Sequence, residues 1–271
     1  MRLQTTTSAQ HYRIEIVGAG ESLLLLHGFS GDATTWHQIA AKLADRWRVS
    51  MLDILGHGAS DKPPNPDSYR MDAVAADIIH LLDQLEVERA HLLGYSMGGR
   101  LALFLALRYP ARFHSLILES ASPGLAGAGE RAQRRSRDEA LAAEIEAKGI
   151  PFFVDYWEGL PLWASQSELP PETLESQRQQ RLRNCPLGLA NSLRGMGAGV
   201  QPNLWPELPA LRLPTLLLVG AADGKFRRIN QAMAARLPKA QLRLIPSAGH
   251  NTHLENTPAF CRQVSSFLAS R

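Results

Sequence analysis

Short runs of apolar residues recur along the chain, and most are separated by segments with helical spacing. The runs lie at Leu23–Leu26, Val49–Ile54, Ala90–Gly94, Leu116–Leu118, Thr215–Val219 and Leu242–Ile245. A short continuous apolar run is typical of a strand that helices cover on both sides, because neither face of the strand then contacts water. The pattern therefore predicts an α/β fold with a mostly parallel, doubly wound sheet.

This alternation stops between residues 124 and 209, where the sequence is rich in Arg, Glu, Gln and Ala and shows no clear strand. Helical spacing is found instead at Ala128–Lys148, Pro151–Trp157, Glu172–Arg183 and Leu187–Met196. We interpret residues 124–209 as a helical lid inserted into a core formed by residues 1–123 and 210–271. Ligands of open α/β sheets bind beyond the carboxyl ends of the strands, so we expect the lid to cover that edge.

Composition narrows the classes of protein and partner. The 271 residues are 45% hydrophobic, as in ordinary globular proteins, and their formal net charge of +3 is too small to favour nucleic acid as a partner. The opening residues lack the apolar core of a secretion signal, and no apolar run is long enough to span a membrane. Two cysteines, Cys185 and Cys261, provide neither a disulfide framework nor a metal-binding spacing. We expect a cytoplasmic protein without a metal or other cofactor, and the oligomeric state stays open.

A glycine-flanked serine follows the strand predicted at Ala90–Gly94. The residues Gly94-Tyr95-Ser96-Met97-Gly98 fit the pattern G-x-S-x-G, and the helix-forming sequence RLALFLALRYP follows Gly99. A strand, a sharp turn and a helix are the context in which this pattern exposes a nucleophilic serine. Without those flanking elements the pattern would indicate only a glycine-rich turn. Ser96 is therefore the candidate catalytic serine.

The loop His27-Gly28-Phe29-Ser30-Gly31 follows an earlier predicted strand. In enzymes built around such an elbow, an oxyanion is bound by the N–H of the residue after the serine and by an N–H from a loop of this kind. The two donors would be the backbone N–H groups of Met97 and Phe29. The alternative is an ordinary strand-to-helix turn. We interpret His27 as a structural residue rather than as a base.

Asp223 and His250 are the candidate acid and base. Each follows a predicted strand, so both would lie at the same edge of the sheet as Ser96. The chain order serine, acid, histidine is the order found with this elbow. His250 would accept the proton of Ser96, while Asp223 would orient the imidazole. His253 could form a metal-binding pair with His250, but no further ligand cluster is evident, and we assign His253 a structural role.

These motifs resemble the α/β-hydrolase superfamily over nearly the whole chain. More narrowly, the segments GYSMGGR, LHGFSGD, DYWEGLPLWASQ, RLRNCPLGLANSLRGMGAGVQPNLW, GAADGKF and AGHNTH are similar to the family of 2-succinyl-6-hydroxy-2,4-cyclohexadiene-1-carboxylate synthases of menaquinone or phylloquinone biosynthesis. The resemblance implies an α/β-hydrolase fold and a lyase that uses its triad as a base. The implied reaction eliminates pyruvate from 2-succinyl-5-enolpyruvyl-6-hydroxy-3-cyclohexene-1-carboxylate, a small trianion.

The resemblance also implies which side chains bind this substrate. They are three arginines and two aromatic residues: Arg100, Arg134, Arg181, Tyr95 and Trp157. Arg100 lies four residues after Ser96 and so on the same face of the predicted helix. The planar fork of a guanidinium suits a carboxylate.

Several of these assignments leave alternatives open. An arginine in the run RAQRRSRDE is by default part of a solvated helix face. Arg178 or Arg183 could take the place of the implied lid arginine. Trp157 and its neighbours Tyr156 and Trp163 could instead simply pack the lid against the core, although the order of the motifs favours Trp157. The function has alternatives too. The same triad serves carboxylesterases and C–C bond hydrolases that form an acyl-enzyme, and the same scaffold serves some small-molecule receptors. The arginines favour an anionic substrate, and the complete triad favours an enzyme.

Overall fold

The computed structural model describes residues 2–6 and 10–270; residues 1, 7–9 and 271 of the predicted core lie outside them. One eight-stranded sheet has the strand order β1-β2-β4-β3-β5-β6-β7-β8. Its strands are β1 Arg2–Thr6, β2 His11–Val17, β3 Glu21–Leu26, β4 Trp47–Leu52, β5 Ala90–Tyr95, β6 Phe113–Glu119, β7 Thr215–Gly220 and β8 Ala240–Ile245. The helices are α1 His37–Leu43, α2 Met71–Gln84, α3 Met97–Arg108, α4 Ala128–Glu158, α5 Pro171–Leu182, α6 Pro186–Met196, α7 Gly224–Ala234, α8 Thr252–Glu255 and α9 Thr257–Leu268.

The sheet is parallel from β4 to β8, and β2 pairs antiparallel with both β1 and β4. All six predicted strands are present, which confirms the predicted fold class. Strands β1 and β2 were not predicted. In β2 the buried side chains of Tyr12, Ile14 and Ile16 alternate with the polar residues Arg13 and Glu15. A strand at the antiparallel end of a sheet therefore lacks the continuous apolar run on which the prediction depended.

Helices pack on both faces of the sheet, and this packing brings the parallel strand ends to one edge. On one face the core includes Ile78 of α2, Leu103 of α3 and Met233 of α7. On the other face it includes Leu43 of α1 and Phe260 of α9. Both sides of β3, β5, β6 and β7 are consequently buried, as their apolar sequences require.

Between β6 and β7 the described chain contains helices and loops but no strand. The segments predicted at Ala128–Lys148 and Pro151–Trp157 form one assigned helix, α4, whose backbone is non-helical at Gly149, with φ 82° and ψ 179°. Helices α4 and α6 share a small apolar cluster of their own, which contains Ile145 and Phe153. In the described part of the chain, no helix combines the length and the apolar character that crossing a bilayer requires.

Candidate active site

Ser96 occupies the sharp turn between β5 and α3. Its backbone has φ 50° and ψ −106°, a region that residues with a side chain rarely adopt. The turn is possible because its glycines allow the strand and helix to approach closely. A Cβ atom on Gly98 would overlap the carbonyl oxygens of Leu26 and His27, and one on Gly94 would overlap the carbonyl oxygen of Gly98. Close backbone packing thus requires glycine at these two positions of the motif. The turn places Ser96 beyond the end of the sheet.

We expect Gly98→Ala to lower the free energy of unfolding by about 1–3 kcal/mol, because the added methyl group would force backbone atoms apart. Denaturant titration of purified protein measures this change. Gly129→Ala is the matched control, since a Cβ at Gly129 would meet no atom within 4 Å. A Gly98→Ala protein as stable as the unsubstituted one would contradict the close packing of the elbow.

Ser96, His250 and Asp223 form a hydrogen-bonded chain. The distance from His250 Nε2 to Ser96 Oγ is 3.0 Å, and that from His250 Nδ1 to Asp223 Oδ2 is 2.9 Å. Asp223 also caps helix α7 by accepting the N–H of Phe226 at 3.0 Å. Burial raises the pKa of Asp223, but the hydrogen bonds from His250 and Phe226 outweigh burial, so its pKa lies below the ordinary value. Because the ionised carboxylate can only accept, Nδ1 carries the proton and Nε2 is free to accept the proton of Ser96.

Three aromatic rings surround the imidazole of His250, which is 2% exposed. The ring centroid of Phe226 lies 4.5 Å from that of His250, and those of Tyr95 and Trp163 lie at 5.6 and 5.8 Å. These contacts restrict the imidazole to the orientation in which both nitrogens meet their partners. Phe226 and Trp163 were not predicted as site residues, although each stands in a segment that carried the resemblance.

The loop after β3 lies against the elbow. The N–H of Gly98 donates to the carbonyl oxygen of His27 at 3.0 Å, which fixes the loop beside Ser96. Phe29 and Met97 line the same cavity as Ser96. In the described turns and loops, neither the Phe29 nor the Met97 N–H donates to a backbone carbonyl. Neither N–H is therefore taken up by a backbone acceptor in those segments, and their binding of an oxyanion stays a prediction.

A cavity of about 980 Å³ lies between the lid and the carboxyl ends of the strands, at the upper end of the usual range for small-molecule sites. All the predicted site residues except Asp223, which stands behind the imidazole, line this cavity: Phe29, Tyr95, Ser96, Met97, Arg100, Arg134, Trp157, Arg181 and His250. The fold thus brings together positions from the elbow, the early loop, the lid and the last strand.

Arg100 presents a cation to this cavity from helix α3. Its Nη1 donates to the carbonyl oxygen of Met196 at 2.7 Å and to Oε1 of Gln201 at 3.0 Å. Burial and the nearby charge of Arg134 lower the pKa of Arg100 to about 10. The guanidinium is still protonated at neutral pH, so Arg100 brings a positive charge to the cavity wall.

Three arginines of the lid also line the cavity, and two of them, Arg134 and Arg181, are the predicted ones; each is paired with a carboxylate. Arg134 Nε donates to Asp138 Oδ1 at 2.8 Å. Arg181 Nη1 donates to Glu158 Oε1 at 2.9 Å, and its guanidinium lies 5.5 Å from the ring centroid of Trp163. An incoming carboxylate would therefore bind beside an existing ion pair at these two positions.

Known proteins are similar to this chain over nearly its whole length. The family model of the α/β hydrolase fold matches residues 21–257. A protein of Bacillus subtilis (strain 168), provisionally named 2-succinyl-6-hydroxy-2,4-cyclohexadiene-1-carboxylate synthase, is 43% identical over 93% of this chain and 92% of its own. The chain belongs to this synthase family of α/β hydrolases. The synthase of that name from Serratia proteamaculans (strain 568) is 33% identical over 92% of this chain and 93% of its own. The structure titled MenH from S. aureus has a TM-score of 0.91 at 37% identity, covering 96% of this chain and 98% of that one.

In this member of the synthase family, exposure and hydrogen bonding distinguish the lid residues that the sequence left as alternatives. The side chain of Arg181 lines the cavity and is 10% exposed. Arg178 instead donates to Asp155 and Glu158 outside the cavity lining. Arg183 also lines the cavity, but its side chain is 56% exposed and is paired with Asp32 at 3.2 Å. Trp157 and Trp163 both line the cavity, whereas Tyr156 is 44% exposed and does not. The cavity therefore contains both tryptophans, of which the sequence had singled out one.

Tyr95 lines the cavity, and its hydroxyl oxygen is fully buried. Its ring packs edge-on against His253 at 4.9 Å, and among the described residues its hydroxyl has no hydrogen-bond partner. Burial, reinforced by the negative charge of Glu119, raises the pKa of Tyr95 well above its ordinary value. The hydroxyl is consequently protonated.

Two histidines near the site have the structural roles predicted for them. His253 Nδ1 lies 2.7 Å from Glu119 Oε2, and both side chains are buried. His27 Nε2 accepts the N–H of Ile54 at 3.0 Å. Among the residues that the structure describes, no group of three or more His, Cys, Asp or Glu side chains is arranged to hold a metal ion.

Proposed function

We propose that this protein is the lyase that converts 2-succinyl-5-enolpyruvyl-6-hydroxy-3-cyclohexene-1-carboxylate into 2-succinyl-6-hydroxy-2,4-cyclohexadiene-1-carboxylate and pyruvate. The observation that carries this proposal is a cavity in which a Ser–His–Asp chain shares one lining with several cationic side chains, among them those of Arg100, Arg134 and Arg181. The substrate has three carboxylates, and a guanidinium binds a carboxylate through two parallel hydrogen bonds. Tyr95 and Trp157 complete the walls around the bound ring.

In this proposal Ser96 acts as a base. Its hydroxyl proton moves to Nε2 of His250, and Asp223 stabilises the resulting imidazolium. The Ser96 oxygen then takes the ring proton next to the succinyl ketone, which gives an enolate. When the ketone re-forms, the ring double bond shifts and the carbon–oxygen bond to the enolpyruvyl group breaks. The departing enolate of pyruvate takes up the proton held by His250, so the triad returns to its starting state.

The oxygen of the intermediate enolate would lie between the N–H groups of Phe29 and Met97. Donors that are fixed before the reaction stabilise charge that develops in the transition state, because they need no reorganisation. The aromatic groups around His250 also exclude water from the proton transfer, since His250 is nearly fully buried.

The competing function is a carboxylesterase that uses the same triad to form an acyl-enzyme. The test compares two substrates. We expect the enolpyruvyl substrate to give pyruvate and the absorbance of the conjugated diene in equal amounts, and p-nitrophenyl acetate to be hydrolysed far more slowly. Rapid ester hydrolysis without pyruvate release would favour the esterase. A ligand recovered unchanged in stoichiometric amount would indicate a receptor.

We also propose that the enzyme acts in the cytoplasm on a freely diffusing small anion, rather than on nucleic acid or at a membrane. Cys185 and Cys261 are both free thiols, which suits a reducing compartment.

A further inference from the structure

The guanidinium of Arg100 differs from those of the two lid arginines in the nature of its partners. Arg134 and Arg181 each donate to a carboxylate, Asp138 and Glu158 respectively. Arg100 instead donates to the carbonyl oxygen of Met196 and the amide oxygen of Gln201, and both acceptors are neutral. Among the described residues no carboxylate lies within ion-pair distance of Arg100; the negative charge that acts on it is that of Asp138, which is itself paired with Arg134.

Gln201 is itself rigidly placed. It is 2% exposed, and its Nε2 donates to the carbonyl oxygen of Ser122 at 3.2 Å while its Oε1 accepts from Arg100. The opposite amide orientation would set an NH₂ group against the guanidinium and an oxygen against a carbonyl, so only one orientation satisfies both neighbours. The backbone N–H of Gln201 donates to the carbonyl oxygen of Gly197, which fixes the turn after helix α6.

A carboxylate at this position would hold the guanidinium equally well but would also neutralise it. An amide supplies the same acceptor without charge. In a partly enclosed cavity, an uncompensated guanidinium attracts a carboxylate more strongly than a paired one does. The side chain at position 201 therefore determines how strongly Arg100 attracts a carboxylate of the ligand.

We propose that Gln201 is a positioning residue that directs Arg100 into the cavity while leaving its charge available to one carboxylate of the substrate. The identity of that substrate rests on the proposed function, but the effect on a bound carboxylate does not. Gln201 has no contact with the triad among the described residues, so it acts on binding rather than on proton transfer.

The decisive variant is Gln201→Glu, which keeps the shape of the side chain and adds a negative charge. We expect KM for the enolpyruvyl substrate to rise roughly 10- to 100-fold, the range for losing a charge-assisted contact, with a much smaller change in kcat. The neutral variant Gln201→Met removes the acceptor without adding charge and should raise KM by less. It also provides the test if Gln201→Glu does not fold. Gln179→Glu is the matched control, because Gln179 is exposed on α5 and lies outside the cavity lining.

A double-mutant cycle with Arg100→Ala separates positioning from a structural role. If Gln201 acts through Arg100, Gln201→Glu should have little further effect on KM in the Arg100→Ala background. The inference is overturned if the full effect persists there, or if KM in both Gln201 variants stays within twofold of the unsubstituted value.

Calorimetric titration with 2-succinylbenzoate, a non-reacting aromatic dicarboxylate, tests the same point without turnover. We expect Gln201→Glu to weaken its binding and Gln179→Glu to leave it unchanged; equal affinities in all three proteins would contradict the inference. An unsubstituted protein that releases no pyruvate yet shows this loss of affinity in Gln201→Glu would contradict only the proposed function.

Discussion

Replacing Ser96 with alanine should lower kcat for pyruvate release by roughly 10²–10⁴-fold, the usual contribution of a positioned acid–base group. The expectation follows from the geometry: Ser96 Oγ is 3.0 Å from Nε2 of His250 and borders the cavity. Without the hydroxyl, no group of the triad reaches the ring proton. Steady-state kinetics with the enolpyruvyl substrate measures the loss.

The three members of the triad should behave as one unit. His250→Ala removes the proton acceptor, and Asp223→Asn presents a neutral amide to Nδ1, which permits the wrong tautomer. Each variant should therefore lose much of its rate, and a Ser96→Ala, His250→Ala double variant should lose little more than Ser96→Ala alone. Additive losses, or a Ser96→Ala enzyme that keeps most of its rate, would contradict the assignment.

Removing one guanidinium from the cavity should cost about 1.5–3 kcal/mol of transition-state binding, the range for a hydrogen bond to a charged group. This corresponds to a roughly 10- to 100-fold fall in kcat/KM. We expect the largest fall for Arg100→Ala, because its charge is not paired with a carboxylate. Arg134→Ala and Arg181→Ala should also lower kcat/KM, since each removes a cation that borders the cavity.

The control for these variants is Arg137→Ala, which removes an exposed arginine from helix α4, outside the cavity lining. It should leave kcat/KM near the unsubstituted value. KM of the unsubstituted enzyme should rise with ionic strength, although less than for an exposed site. Normal kinetics in all three cavity variants would exclude an anionic substrate while leaving the triad intact.

The strands that could be predicted best from the sequence are those that are buried along their whole length. Strands such as β7 are buried on both faces, so each residue had to be apolar or small. Ser96, Asp223 and His250 could be predicted because each lies within five residues of the end of a predicted strand. Strand β2 could not be found in this way, since Arg13 and Glu15 interrupt its apolar residues.

Residues whose role depends on the packing of the lid were beyond the reach of sequence patterns. Gln201 stands in a polar, glycine-containing segment that reads as a surface loop, yet the fold buries it against Arg100. The position of Trp163 next to His250 arises only when the lid folds over the last strand. Likewise, the carboxylate partner of Arg181, Glu158, lies on a different helix.

The central claim is that Ser96 accepts a proton and forms no covalent bond with the substrate. Rapid acid quenching during turnover, followed by intact-protein mass spectrometry, tests this claim most directly. We expect the mass of the unmodified chain at every time point, with pyruvate released at the steady-state rate and without a burst. A stoichiometric, substrate-derived increase in mass located on Ser96 would contradict the elimination mechanism and indicate covalent catalysis instead.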